Sequence, residues 1–557
     1  MSSPKRLLAS ILALAFALAG CVSASPAPSA PPARGLVRKD TPEEVNIAKA
    51  RARGRQRAFT WEPYGPLAFE RAKRERKFIL LDGAAEWCHW CHVMDETTYL
   101  DPDIGRALSE RFVAIRVDID EHPDIGERYG AWGWPATILF SPDAEELGKY
   151  RGYIPAEELK GILRDIASAK KDTAEGSPGL GALPLPVEAL GWLSALETVE
   201  LDGYYDEAQG GWGQRQKAPL GANIEFEWTR ASRGDLAAKQ RAIFTLQKQR
   251  ALIDPVWGGI YQYSAGADWN APHYEKLMTY QAANLEAYAK GYAATKDASL
   301  LADAQKIARY MSTFLSNEGG AFLVSQDADV NAHQKEAAFV DGDVYYRLPD
   351  QERRKLGIPR VDEHVYAHEN GLAVSAFVTL YEASRDPAIL ARARRAADLV
   401  LTTLVDPDGA VRRGTQGVRY LADAASFGRA LSRLAEVTGE ASYRAAAVKV
   451  NAAMERDLAD PATGAFWAHT PDPAAAGVFR TRERPFVHNV TAARFLSALA
   501  RVTGDQATRE RARRVLAGVL TPSEISGRGR MVGDLLLALS EAGVYPWAGL
   551  STTSPKP

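Results

Sequence analysis

Two thiols three residues apart, Cys88 and Cys91, stand in the run Trp87-Cys88-His89-Trp90-Cys91-His92. Thiols at that spacing can close, open and exchange a disulfide, a thiolate attacking sulfur through a mixed-disulfide intermediate. Stapling is a poor reason for the pair, because a loop closed over two residues removes little entropy from the unfolded chain. The flanking residues favour reactivity. Phe78 to Leu81 is an apolar run of strand length, Asp82 to Glu86 is turn-like, and Cys91 to Leu108 carries helical spacing. Cys88 is therefore expected at a helix N-terminus, where unpaired amides and the helix dipole lower a thiol's pKa. Cys91, one turn on, is placed to resolve a mixed disulfide. His89 either tunes Cys88 by charge or hydrogen bonding or is a solvent-exposed helix residue. Trp87 flanks Cys88 as a second tuning candidate.

The same letters admit two other chemistries. Cys88-x-x-Cys91-His92 satisfies the minimal pattern for c-type haem attachment. Cys88 and Cys91 with His89 and His92 offer four zinc donors, although so short a stretch of helix converges poorly on one tetrahedral ion.

The third cysteine belongs to an address. Lys5 and Arg6 precede an apolar run, Leu7 to Ala19, which is too short to span a bilayer and ends Leu18-Ala19-Gly20-Cys21. This resembles a bacterial lipoprotein signal, which implies cleavage before Cys21 and lipidation of its thiol. An ordinary secretory signal with an incidental cysteine is the alternative. Val22 and Ser23 put no acidic residue behind Cys21, which by enteric-type sorting favours the periplasmic face of the outer membrane. The Ala/Ser/Pro-rich stretch that follows reads as a tether. With Cys21 lipidated, Cys88 and Cys91 have only each other.

Three motifs in order carry a resemblance to thioredoxin over residues 58 to 170. Leu81-Asp82-Gly83-Ala84-Ala85-Glu86-Trp87-Cys88 resembles the strand and approach to the active site, and Phe112 to Asp120 the next strand. Gly133-Trp134-Pro135, followed by Ala136 to Phe140, resembles the cis-proline loop and its strand. The resemblance implies that Asp82 is a buried acid assisting proton transfer at Cys91 and that Pro135 is cis beside the disulfide. These features have a use in a thioredoxin fold and none in haem ligation, so no cofactor and no metal is expected. Cys88-His89-Trp90-Cys91-His92-Val93-Met94, Val117-Asp118, Pro123-Asp124 and Gly133-Trp134-Pro135 further resemble the DUF255 family of thioredoxin-domain proteins. That resemblance implies a large helical toroid joined to the module.

The rest of the chain agrees. With 557 residues, 46% apolar and 25% charged, it is long enough for two or three globular domains. Lys and Arg number 68 against 70 Asp and Glu, a net charge of -2, which offers no field to draw nucleic acid. Beyond a Gly/Pro linker at 176–186 the pattern is helical, as in Tyr280 to Ala294, Leu390 to Leu404 and Val490 to Val502. Glycine-aromatic punctuations recur, among them Gly210-Gly211-Trp212, Gly258-Gly259-Ile260-Tyr261 and Gly464-Ala465-Phe466-Trp467. The expected fold is multidomain: a signal at 1–20, lipidated cysteine and tether at 21–40, an α/β thioredoxin-like domain at 41–175, and an all-α (α/α)6 toroid like the six-hairpin glycosidases at 187–550.

A ring of hairpins has a central cleft. His273, Glu275, Asp327, Asp329 and His488 are its candidate pocket residues, with Asp202, Asp341, His364, His368 and Asp423 around them. Paired carboxylates suit glycosidic hydrolysis and a histidine pair suits epimerisation, whereas all of them can equally cap helices and bridge hairpins. Trp212, Tyr261, Tyr263, Trp269 and Trp467 are candidate stacking faces for a sugar.

The sequence thus predicts an exported thiol-disulfide oxidoreductase acting on a protein thiol or disulfide, with the toroid recruiting a target or a small-molecule or sugar ligand. The alternatives are a carbohydrate-active or sugar-binding protein with an accessory thioredoxin module, and a scaffolding lipoprotein without turnover.

Overall fold

The computed structural model describes Ile47, residues 57–168 and residues 184–544, apart from 333, 335, 336, 338, 415 and 416. The expected signal peptide, Cys21, the tether and most of the linker lie outside the described residues. Among the described residues no helix is long and apolar enough to cross a membrane.

The N-terminal module is a five-stranded sheet in the order β1-β3-β2-β4-β5, built from Glu62–Pro63 (β1), Phe78–Ala84 (β2), Phe112–Asp118 (β3), Ala136–Phe140 (β4) and Glu146–Arg151 (β5). β2 runs parallel to β3 and antiparallel to β4, which in turn pairs antiparallel with β5. Helices cover both faces, so the central strands are continuously apolar. Pro66–Glu75 (α1) and Pro123–Tyr129 (α4) lie on one side, where Phe69, Ile79, Leu81, Ile115 and Ile138 form a core. His89–Glu96 (α2), Pro102–Arg111 (α3) and Ala156–Ser168 (α5) lie on the other, around Leu80, Met94, Ile104 and Leu139.

Two local expectations are corrected. The helical spacing from Cys91 to Leu108 is not one helix: α2 stops at Glu96, and α3 begins at Pro102 after a 3-10 turn over Thr98–Leu100. Asp101 caps α3 by accepting from the amides of Asp103 and Ile104, and Pro102 is a residue that opens a helix and cannot sit inside one. Asp82 to Ala84 is strand, not turn, because the ladder to β3 continues through Asp82↔Arg116 and Ala84↔Asp118.

In the C-terminal module, Gly221–Ala231 (α7), Met278–Thr295 (α9), Ala367–Ser384 (α11), Leu421–Thr438 (α13), Phe486–Thr503 (α15) and Gly533–Glu541 (α17) pack each on the next, and α17 returns to α7. That is a closed inner ring. Each inner helix has an outer partner: Leu236–Gln249 (α8) on α7, Ala298–Thr313 (α10) on α9, Pro387–Thr403 (α12) on α11, Ala441–Leu458 (α14) on α13, and Gln506–Val519 (α16) on α15. Leu190–Gly203 (α6), the first helix, covers α17, the last, and so closes an (α/α)6 toroid.

A repeated turn joins successive hairpins. Asp206, Asp254, Asn317, Asp406 and Asp460 each donate a backbone amide across a short bridge, to the carbonyls of Gly211, Gly259, Ala321, Ala410 and Ala465. The glycine-aromatic punctuations are these turns. At Gly258 (φ 77°) the chain passes so close to the Lys306 carbonyl that a Cβ would sit 2.4 Å from its oxygen, which only glycine allows.

The modules share a core. Phe479 of the toroid lies edge-on to Tyr64 and Phe69 and against Phe140 of the thioredoxin-like sheet. Arg413 donates to the Asp120 carbonyl at 2.9 Å, Arg128 reaches the Thr481 carbonyl at 2.8 Å, and Arg360 pairs with Glu86 at 2.7 Å.

Candidate functional site

β2 delivers the cysteines. After Ala84 the chain turns through Ala85 to Trp87 and Cys88 becomes the N-cap of α2, its Sγ accepting from the Cys91 amide at 3.2 Å. Cys88 and Cys91 are joined as a disulfide. An amide already aimed at Sγ stabilises negative charge there once the bond opens, which marks Cys88 as the better thiolate. The Trp134-Pro135 peptide bond is cis, and Trp134 packs against the cysteine cluster. Gly83 makes room for it, since a Cβ there would lie 2.8 Å from the Trp134 ring.

Asp82 is buried beneath, as the resemblance implies, but it has company. Arg116 donates to it at 2.9 Å and Tyr99 at 3.2 Å, and Arg116 also grips Asp95 at 2.6 Å. Burial pushes the Asp82 carboxyl up against the pull of Arg116. Trp87 is buried and donates its Nε1 to Asp120 at 2.8 Å, which fixes the turn before Cys88.

The toroid presents a matching face. A small antiparallel sheet, Lys276–Leu277, Ser325–Gln326 and Val361–Asp362, aligns Leu277 against the cysteine cluster and sends Asp327 and Asp329 toward α2. His89 Nδ1 lies 2.6 Å from Asp329 Oδ2, and His92 Nδ1 3.7 Å from Asp327 Oδ2. Asp329 is held in place by the Gly342 amide at 2.9 Å. Burial pulls the His89 imidazole down, but the Asp329 charge and hydrogen bond outweigh it and raise it to about 10, so His89 is cationic beside Cys88. Glu275, 3% exposed, is pushed by burial to about 7. His273 stacks on Tyr263 with centroids 4.2 Å apart, and burial lowers it to about 4.

His273, Glu275, Asp327 and Asp329 therefore gather around His89 on the toroid side of the disulfide. His92, read in sequence as a zinc donor with the cysteines, and Asp341, read as one of the residues around the cleft, join them. His488 keeps other company. Its ring is 5.9 Å from that of His368, whose Nδ1 meets Ser426 Oγ at 2.8 Å, and burial takes His488 down to about 3. Asp202 clamps Arg230 and Arg241, each at 2.6 Å, and Asp423 pairs with Arg413. Trp212, Tyr261 and Trp269 are core residues, 1%, 3% and 3% exposed, and so are not open stacking faces. Trp467 lies under Arg482 and Arg484. A cavity of about 680 Å³ opens at the joint, lined by Glu86, Asp329, Arg360, Asp362 and His364 among others.

Residues 52–173 match the family model described as protein of unknown function, DUF255 (Thioredox_DsbH). Spermatogenesis-associated protein 20 of Homo sapiens is 28% identical over 305 residues, 48% of this chain and 39% of the relative, so this chain spans about two fifths of that protein. Thiol:disulfide interchange protein DsbD of Colwellia psychrerythraea is 27% identical over 104 residues, 17% of each chain. The solved structure of cellobiose 2-epimerase from Spirochaeta thermophila has 14% identity and a TM-score of 0.49, covering 64% of this chain and 94% of that one. The disulfide and the cis-proline thus lie in a thioredoxin-like module that matches the DUF255 model, within a chain similar over 48% of its length to spermatogenesis-associated protein 20.

Proposed function

We propose that this protein is a thiol-disulfide oxidoreductase whose substrate reaches Cys88 along the face of the toroid. One observation carries the reading: the Cys88–Cys91 disulfide sits at the start of α2, roofed by Leu277 and by the His89–Asp329 pair. In the reduced protein the Cys88 thiolate attacks one sulfur of a substrate disulfide and the other sulfur leaves as a thiolate. Cys91 then attacks the Cys88–substrate bond, releases the second substrate thiol and closes Cys88–Cys91, so two electrons pass to the substrate. A substrate dithiol drives the same steps backward. The cationic His89 favours the Cys88 thiolate in either direction. Substrates that fit are small disulfides or the exposed disulfide of an extended peptide, with the toroid holding the remainder of the molecule.

The test is equilibration of the full chain with glutathione redox buffers, together with trapping by Cys91→Ala. A defined potential and discrete mixed disulfides, both lost in Cys88→Ser, support the reading. A pair that neither equilibrates nor traps refutes it. The same proposal places the protein in the cell envelope, lipid-anchored through Cys21, and mass spectrometry of the mature N-terminus decides that part.

A second reading rests on His368 and His488, which face each other at the starts of two inner helices. A pair of histidines is of the residue type that moves protons in an epimerisation at a sugar carbon. Deuterium uptake from D2O into a disaccharide, absent in His488→Gln, would support an epimerase-like activity; no uptake with wild-type protein would remove it.

A further inference from the structure

We propose that the joint between the modules is a metal site, in which His89 and His92 of the thioredoxin-like module and Asp327, Asp329 and Asp341 of the toroid hold one divalent first-row transition-metal ion. Asp329 is the common ligand. His89, Asp329 and Asp341 each offer a donor atom within 4.8 Å of the others, and so do His92, Asp327 and Asp329. Donors around such an ion stand at most about 4 Å apart. Closure of either triad thus asks for side-chain movements of about an ångström, and Asp329 joins the two.

A second, independent observation points to a cation. Glu275 Oε2 is buried without a hydrogen-bond partner, and His273 Nδ1, a neutral imidazole, lies 4.0 Å away. His89, Asp327 and Asp329 are the groups whose charges it feels. Asp327 and Asp329 are each 1% exposed. A buried carboxylate oxygen without a hydrogen-bond partner is costly, and an ion held by either triad would give Glu275 a cation to face.

The donor set selects the ion. Two imidazoles with carboxylates suit Mn, Fe, Co and Zn, while Ca and Mg prefer oxygen alone. Neither cysteine contributes, so the site is separate from the thiol-ligated zinc that the spacing of Cys88, His89, Cys91 and His92 suggests. The ion would link α2 to the toroid beside the disulfide and hold the joint closed. The inference does not depend on the redox reading, because it concerns the oxidised, metal-loaded protein, in which His89 is a neutral ligand; the cationic His89 belongs to the metal-free protein.

The test uses tag-free full-length protein, stripped with chelator and kept oxidised, titrated calorimetrically with Zn(II) and Mn(II). One equivalent is expected to bind, undisturbed by millimolar Ca(II), and Asp329→Asn should weaken it about tenfold or more. The double variant Cys88→Ser, Cys91→Ser should keep wild-type affinity. Cobalt substitution supplies a readout that needs no variant: the spectrum should show nitrogen and oxygen ligation with no thiolate charge-transfer band. Absence of saturable binding in the wild type, wild-type affinity in a folded Asp329→Asn, or a thiolate band would each overturn the proposal.

Discussion

His89 Nδ1 and Asp329 Oδ2, 240 residues apart in the chain, lie 2.6 Å apart across the joint between the two modules. The contact ties the first turn of α2 to the toroid, directly over a disulfide whose cysteines are 3% and 5% exposed. A thioredoxin-like pair usually meets its partners at an open surface. Here the partner surface is part of the same chain.

Reduction of this disulfide should consequently depend on the size of the reductant. A small phosphine or dithiol should reach the pair more readily than a folded protein dithiol, whose sulfur must approach cysteines only 3% and 5% exposed. Stopped-flow tryptophan fluorescence at matched thiol concentration should give a protein-reductant rate lower by about tenfold or more, since access limits exchange. Asp329→Asn should narrow the gap. Equal rates in the wild type would show that the joint does not shield the pair.

Phe479 tests whether the modules are one cooperative body. Its ring, 5% exposed, fills space among Tyr64, Phe69 and Phe140. Phe479→Ala should cost about 3–5 kcal/mol by lost transfer and cavity formation. Because that energy joins the modules, calorimetry should turn one unfolding transition into two. A single transition at the wild-type temperature would mean that the joint does not couple them.

Asp254 gives the acid limb. Burial pushes its carboxyl up, but Lys276 at 2.8 Å and Arg353 at 2.7 Å outweigh burial and hold it at about 2. A depressed folded pKa stabilises above the unfolded value and the contribution is lost as pH falls through the folded one. Asp254 therefore contributes on the order of 2 kcal/mol above pH 4, lost between about pH 4 and pH 2. Arg353→Gln should move the acid-unfolding midpoint of the full chain to higher pH, and an unmoved midpoint would contradict this account.

The thioredoxin half was legible because its signals are local. An apolar strand, a turn and two cysteines at a helix start are all read within about ten residues, and Pro135 follows in a recognisable loop. The toroid was legible as a repeat, through helical periodicity and glycine-aromatic turns. The joint was not. His92 is marked in sequence only as a donor beside the cysteines and Asp341 only as one of several cleft candidates, and only tertiary packing brings them to one place. Trp212 and Trp269 misled for a related reason: an aromatic after a glycine looks the same in sequence whether it lines a cleft or, as here, fills the core. His488 was grouped with Asp327 on composition, but its helix belongs to another part of the ring.

The inner ring contains one further device that no sequence period signals. Asn370, fully buried in the first turn of α11, accepts from the Phe322 amide at 2.8 Å and donates to the Phe322 and Tyr366 carbonyls, each at 2.9 Å. Asn489 of α15 does the same for Phe466 and Pro485, at 2.7, 3.0 and 2.8 Å. Each asparagine completes the backbone pairing of the turn before its helix, where water is absent. Asn370→Leu conserves size but leaves the Phe322 amide and carbonyl unpaired in the core, so it should cost about 2–4 kcal/mol in denaturant unfolding. Asn489→Leu should cost a similar amount, and because the two asparagines share no partner the double variant should lose close to the sum. The rate at which a small reductant opens the disulfide should stay unchanged in both. A loss well below 1 kcal/mol would show that the turns satisfy these groups by other means.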